Sequence, residues 1–343
     1  MRVLAGDIGG TKTAVAVVEA DARRLSVRHQ RTYRSADFES LDRILAEFLD
    51  GVRPTPPVAC FGVAGPVVGG KAQVTKLPWA IDERALATAL GIATVRVIND
   101  FVAAAAGLSY LRPRQRRTLA AGKPEPRGPI ALIGAGTGLG QAALVWTGTR
   151  YAPLPSEGGH ADLAARDAGE DRLIGFLRSR FGRVTRDRVL SGGGLAQIYD
   201  FLKEERFARE KPSVARAMER EDKAAVISRL ALARRDRLCQ EALRVFLSIY
   251  GSEAGNLALQ YRATGGLFVG GGIAARILPA FRGSEFLESF LRKPPMEPLL
   301  SRVPVHIVTD PRLGLFGAAA SAYWTAIETS RLSSKTSVRR RRR

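Results

Sequence analysis

Three glycine-rich stretches carry the residues best suited to chemistry in this sequence. The first, DIGGTKT at residues 7–13, places a carboxylate (Asp7), two glycines (Gly9, Gly10), a hydroxyl (Thr11) and a cation (Lys12) within one turn. Glycines let the main chain approach phosphate oxygens, and successive N–H groups form an anion-binding nest. A ligand-free glycine hairpin is the alternative. A Walker loop is excluded, because GxxxxGK[ST] requires glycine where Thr11 stands and a helix where a strand is predicted. The second stretch, GAGTGLG at residues 134–140, centres on Gly136, Thr137 and Gly138. It fails the dinucleotide pattern GxGxxG, since neither Leu139 nor Gln141 is glycine, and a strand follows it where a Rossmann fold requires a helix. The third, Gly270, Gly271 and Gly272, sits at a strand end leading into a helix, where a nucleotide's base or α-phosphate could pack. Turn chemistry could explain any one of these; all three together suit a phosphate chain held by two domains.

Polar residues outside the glycine loops add acid–base and hydroxyl-binding capacity. Asn99 and Asp100 directly follow a predicted strand, where ligands bind in open α/β sheets. Asp100 could be a helix N-cap, or a carboxylate that accepts a proton from an attacking hydroxyl. In LPSEGGHA, Glu157 and His160 flank two glycines that argue against a helix and against a helical metal site. A glycine-hinged loop presenting a carboxylate and an imidazole suits the vicinal hydroxyls of a sugar; a plain surface loop is the alternative.

These residues must be positioned by an α/β framework. Residues 3–5, 13–18 and 26–33 read as strands, and Leu41, Ile44, Leu45, Phe48 and Leu49 form the apolar stripe of a helix. A buried strand at 58–63, a helix around Leu86 and Leu90, and a strand at 95–98 complete an α/β layer with one hairpin. Residues 113–129 are basic and proline-rich and read as a linker or surface loop. Strand, glycine loop and strand then recur at 130–146, which announces a second domain. Helical patterns dominate 171–181, 195–207 and 235–261, followed by strands at 267–269 and 305–308 and an Ala-rich helix from Leu313 to about Ile327.

Composition supports a globular protein: 343 residues, 45% hydrophobic and 25% charged, without any glycine period. No apolar run approaches the ~18–20 residues of a membrane span, and the apolar stretch from Val3 stops at Asp7, too early for a signal peptide. A cytoplasmic protein is expected, with no membrane partner. Cys60 and Cys239 suggest no disulfide, and His29, His160 and His306 have no metal-ligand spacing. The net charge is +20, of which seven positive charges lie from Arg331 onward, so the body carries +13. Such a surface attracts polyanionic substrates such as nucleotides; a nucleic acid partner is not expected despite the basic tail.

DIGGT, INDF, GAGTGLG, PSEGGHAD, RVLSGGGL and GGLFVGGGI occur in this order and spacing. Together they resemble the bacterial glucokinases of the sugar kinase, actin and heat-shock ATPase superfamily, over nearly the whole chain. The ROK branch is less similar, since its cysteine-rich zinc motif is missing. The resemblance implies an α/β protein of two RNase H-like (actin-like ATPase) domains around a ligand cleft. The small domain would span 1–112, completed by a C-terminal helix at 309–328. The large domain would span 113–308, with a disordered basic tail at 329–343. The activity implied is phosphorylation of the 6-hydroxyl of D-glucose by ATP with Mg²⁺. Asp7, Gly9, Gly10, Thr11, Lys12, Gly136, Thr137 and Gly138 would hold the phosphates, with Asp7 a candidate for the metal carried by ATP. Gly270, Gly271 and Gly272 would hold adenosine. Asp100 would be the general base, and Asn99, Asp100, Glu157, His160 and Asp187 would bind the sugar. The family also suggests a homodimer. Two positions depart from its pattern: Asp187 stands before RVLSG where glutamate is usual, and Lys76 precedes LPW where asparagine is usual. A kinase for another hexose, or an inactive sugar-binding regulator, are the competing readings.

Overall fold

The structure, a computed structural model, describes residues 1–340, with side chains through Arg331. It comprises two compact units. The first is Met1–Arg112 with Tyr151–Pro155 and the chain from Arg312, and the second is Pro113–Arg150 with Ser156–Pro311.

In the first unit, β1 (Arg2–Ile8), β2 (Lys12–Ala20), β3 (Leu25–Arg34), β4 (Val58–Val63) and β8 (Thr94–Asn99) form a sheet of order β3-β2-β1-β4-β8. The short strands β5 (Val67–Val68), β6 (Lys71–Gln73) and β7 (Ala80–Asp82) make a separate small sheet. Side chains of β1 alternate across its pleat: Leu4 and Ile8 join one core while Val3 and Ala5 join another. The first core takes the apolar stripe of α1 (Leu41–Leu49), whose Leu41, Ile44, Leu45 and Phe48 are buried, each contributing about 1.5–3 kcal/mol. Two more helices follow, α2 (Glu83–Leu90) and α3 (Asp100–Gly107). Strands β1, β4 and β8 run parallel, so Ile8 pairs with Val63 and Val63 with Asn99, and their carboxyl ends align along one edge of the sheet.

In the second unit, β9 (Arg116–Ala120), β10 (Ile130–Ala135), β11 (Leu139–Trp146), β13 (Gly266–Gly270) and β14 (Val305–Val308) follow the order β11-β10-β13-β14-β9, while β12 (Tyr151–Ser156) falls almost wholly among residues of the first unit. Its helices include α4 (Ala168–Phe181), α5 (Arg186–Val189), α6 (Gly192–Glu204), α7 (Pro212–Arg220), α8 (Lys223–Leu232), α9 (Arg237–Gln260), α10 (Gly271–Arg276), α11 (Glu285–Leu291) and α12 (Glu297–Leu300). The core gathers Ile133 of β10, Leu173 and Leu177 of α4, Leu195 and Ile198 of α6, and Phe246 and Tyr250 of α9. Strand β9 falls inside the basic, proline-rich stretch read as a loop. Its pairing with β14 recruits it as an edge strand, where arginines can point to water.

The last helix, α13 (Leu313–Arg340), belongs to the first unit. Its Leu315, Ala318, Ala319, Ala322 and Ala326 cover the core face holding Val3, Ala5, Ala16 and Val18. The helix continues through Arg340 where composition suggested a disordered tail from 329. Once a helix is nucleated on a buried face, each added residue gains a hydrogen bond at little further cost, and Lys and Arg are good helix formers. Residues 341–343, the end of that expected tail, lie outside the described residues. No helix among the described residues is long and apolar enough to cross a membrane.

Candidate functional site

In the first unit the predicted residues converge on the carboxyl ends of β1, β4 and β8. Asp7 and Ile8 lead into the tight turn, where Gly9 N–H donates to Lys12 O at 3.0 Å. Ser35 anchors this turn from β3's end, its hydroxyl donating to Gly9 O at 2.8 Å. At the end of β8, Asn99 and not Asp100 is the N-cap of α3: its Oδ1 accepts from Phe101 N–H and Val102 N–H. Its Nδ2 donates to Gly65 O at 3.1 Å, tying the loop after β4 to the same place. Because Asn99 satisfies the helix end, Asp100 need not. Asp100 Oδ1 accepts from Phe101 N–H at 2.9 Å.

Asp7 is strongly perturbed. Loss of hydration pushes its pKa up to about 6, and the Asp100 carboxylate adds to the effect. The residue as a whole is partly buried. A Cβ at Gly314, near the start of α13, would lie 2.8 Å from Asp7 Oδ2, so glycine there admits the carboxylate against the helix end. The folded state holds the proton more tightly than the unfolded chain between pH 3.8 and about 6, so this group's contribution to stability falls as pH rises through that window. The loss is at most about 3 kcal/mol at 1.36 kcal/mol per pKa unit. Relative to the parent, Asp7→Asn is therefore expected to gain stability progressively from pH 4 to 6.5 in urea titrations without divalent cations. A difference that does not change with pH would refute the shift.

In the second unit, β10 and β13 run parallel with Gly134 paired to Gly270, so the GAGTGLG turn and the glycines 270–272 emerge at one edge. Tyr250 of α9 holds that turn's base, its hydroxyl accepting from Ala135 N–H at 3.0 Å in a buried bond. Gly136 O accepts from Gly192 N–H at 2.9 Å, joining the turn to the first residue of α6. Cβ atoms added at Gly136, Gly138 or Gly272 would meet nothing within 4 Å, so these three stand clear for a ligand.

The PSEGGHA segment lies against β11, immediately after that turn. A Cβ at Gly159 would sit 2.0 Å from Leu139 O, so the paired glycines permit close approach rather than act as a hinge. Residues 158–160 form a single 3-10 turn that leaves Glu157 and His160 exposed at its ends. His160 Nδ1 lies 3.6 Å from Asp187 Oδ2, with side-chain exposures of 68% and 25%. Thr185 Oγ1 donates to the other Asp187 oxygen. The neighbouring Arg186 braces this pair: it lies 2.9 Å from Glu253 in a buried ion pair, and its Nη1 reaches Gly158 O at 3.4 Å. Burial pushes the Glu253 pKa up, opposed by the Arg186 charge.

Thus Asp7, Gly9, Gly10, Thr11, Lys12, Asn99 and Asp100 assemble within one unit. Gly136, Thr137, Gly138, Glu157, His160, Asp187 and Gly270–272 belong to the other. Sequence reasoning missed Tyr250, Arg186 and Glu253. Only the RDRVLSG motif hinted at Arg186; a tyrosine 115 positions from its partner leaves no local signal.

For a divalent cation, the described residues contain no group of three or more His, Cys, Asp or Glu able to hold it unaided. The Asp7 carboxylate, near enough to Asp100 to feel its charge, suits a Mg²⁺ ion that would take most of its ligands from phosphate and water. A cation beside Asp7 would also offset the repulsion that raises the Asp7 pKa.

Comparison with known proteins points the same way as these loops. The family profile described as Glucokinase matches residues 4–324. A protein of Nostoc punctiforme named glucokinase is 44% identical over 335 residues, covering 93% of this chain and 98% of its own. Among solved structures, a glucokinase from an Antarctic psychrotroph is 36% identical with a TM-score of 0.83, covering 94% of this chain and 98% of that one. A ROK family glucokinase from Streptomyces griseus shares the fold at 19% identity and a TM-score of 0.63, covering 94% and 100%. The fold is that of the actin-like ATPases, and the full-length match with the glycine turns and INDF segment in place leads to one assignment: the chain belongs to the glucokinase family.

Proposed function

We propose that this protein transfers the γ-phosphoryl group of ATP to the 6-hydroxyl of D-glucose, with Asp100 as general base. The observation that carries the assignment of the base is Asp100's place at the carboxyl end of β8, freed from helix capping by Asn99. A carboxylate there can accept the hydroxyl proton as the oxygen attacks phosphorus. In the first unit, Lys12 and the N–H groups of Gly10 and Thr11 stabilise charge that develops on the phosphoryl oxygens, the Gly9 N–H being held by Lys12 O. Asp7 is the residue that would hold the Mg²⁺ that accompanies ATP, which would supply positive charge against the phosphate chain. In the second unit, the turn at Gly136, Thr137 and Gly138 binds phosphate and Gly270–272 binds adenosine. Glu157 and His160 bind sugar hydroxyls, and Asp187 orients His160 through their contact while Thr185 holds Asp187 in turn.

A coupled assay of ADP release across a hexose panel tests this reading. Glucose is expected to give the highest kcat/KM. A different preferred hexose would revise the substrate, and sugar-independent ADP release or none at all would remove the kinase assignment.

A further inference from the structure

Residues 74–77 form a tight turn in the first unit. Leu77 N–H donates to Val74 O at 3.2 Å, Val74 N–H to Trp79 O at 3.0 Å, and Thr75 N–H to Ala64 O at 2.9 Å. Gln73 Nε2 closes the turn from outside, donating to Leu77 O at 3.0 Å. Lys76, the third residue, has φ +69. Turns with positive φ at that position ordinarily carry glycine or asparagine, because any other Cβ crowds the backbone. A lysine therefore sits in strained backbone at a place where two other residue types would be relaxed. Strain held by a surrounding hydrogen-bond network is a pointer to use of the side chain.

The position of the turn indicates what that use is. A Cβ at Gly10 would lie 2.5 Å from Thr75 O and 3.4 Å from Lys76 Cβ, so the lysine is packed directly on the Gly9–Gly10 turn. Its flexible stem lets the ammonium reach across that turn. Lys76 and Lys12 are both exposed, and neither ammonium has a carboxylate or hydrogen-bond partner among the described residues. Lys71 lies 3.2 Å from Asp82 and Lys203 2.7 Å from Glu210, while Lys123 and Lys223 are exposed like Lys76 and Lys12, so what sets these two apart is that they share one glycine turn. Two uncompensated cations carried by residues at one glycine turn favour an anion over a neutral hydroxyl.

We propose that Lys76 is a second phosphate-binding cation. It acts with Lys12 on the transferred phosphoryl group, both on ATP before transfer and on the sugar phosphate after it. This rests on the phosphoryl-transfer reading above. Lys76→Asn and Lys76→Gly remove the charge and relieve the backbone together, so a functional lysine and a structural one give opposite results. In the full-length protein, both variants should keep or raise Tm, by about 1–2 °C. By titration calorimetry, their Kd for glucose 6-phosphate should rise about three- to tenfold, with Kd for glucose unchanged within about twofold and KM for ATP raised in parallel. The dependence of glucose 6-phosphate affinity on KCl should flatten, and Lys76→Arg should retain most of the affinity. Unchanged glucose 6-phosphate affinity with the parent's salt dependence overturns the proposal. An equal loss of glucose affinity would make Lys76 a hydroxyl ligand, and a fall in Tm with all affinities would make it structural; either overturns it too. Glucose 6-phosphate binding needs no turnover. A parent protein that binds none would therefore sink the underlying kinase reading rather than the role of Lys76 within it.

Discussion

Asp100→Asn is expected to lower kcat by about 10² to 10⁴ while leaving Tm and the KM for glucose close to the parent's. The substitution removes proton acceptance and little else. Asparagine retains an Oδ1 that can accept from Phe101 N–H, and the end of α3 is capped by Asn99, which is untouched. The change should also lower the Asp7 pKa, because the Asp100 charge helps to raise it. Steady-state kinetics at pH 7.5 together with thermal melts decide the matter. A kcat within a few-fold of the parent, in protein that melts normally, would assign the base elsewhere.

Gly317→Ala should be the most damaging single methyl group in the first unit. An ideal Cβ at Gly317 falls 1.5 Å from Ala103 O, while one at Gly107 falls 2.4 Å from Leu313 O. Helices α3 and α13 thus cross with their backbones in contact, and a backbone carbonyl cannot step aside as a flexible side chain would. Relief requires the helices to part, which strips contacts from the Ala-rich face of α13 and tilts the helix that begins at Asp100. Overpacking usually costs about 1–3 kcal/mol, and this case lies at or beyond the upper end, about 3 kcal/mol or more. Urea denaturation should show that loss, and the folded fraction should turn over at least about tenfold more slowly because Asp100 moves with α3. Gly175→Ala is the control. Gly175 lies inside α4 with nothing within 4 Å of its added Cβ, and alanine there should stabilise by about 0.5–1 kcal/mol. Similar effects at both positions would show that the close crossing is not what demands glycine.

Several elements were legible because their causes are local. The stripe of Leu41, Ile44, Leu45 and Phe48 declares a helix through its 3.6-residue period, and these four residues are buried on α1. The glycines of DIGGTKT and GAGTGLG predict turns between antiparallel strands, and β1 with β2 and β10 with β11 are such pairs. The ordering of six short motifs carried the family, since each motif is a backbone conformation or a ligand contact that few sequences satisfy. Strand β9 was not legible: RRTLA has weak alternation and lies in a proline-rich stretch, and it becomes a strand only because β14 offers an unpaired edge. The helix beyond residue 328 was likewise hidden, because composition reports the cost of isolated ordering and not the helix already standing before it.

From its own residues the chain determined where strands, helices and phosphate-sized turns lie, because periodicity and turn chemistry act over a few positions. Tertiary structure decided the rest. Asn99 took the helix cap and so released Asp100, Asp7 lost its hydration to neighbours from α13, and Tyr250 and Arg186 became braces for loops far away in sequence. Lys76 acquired its positive φ from a network of bonds to Ala64, Val74 and Trp79 that no window of sequence encodes. Desolvation, close approach and charge proximity depend on which distant atoms share a volume, and only the folded chain brings those atoms together.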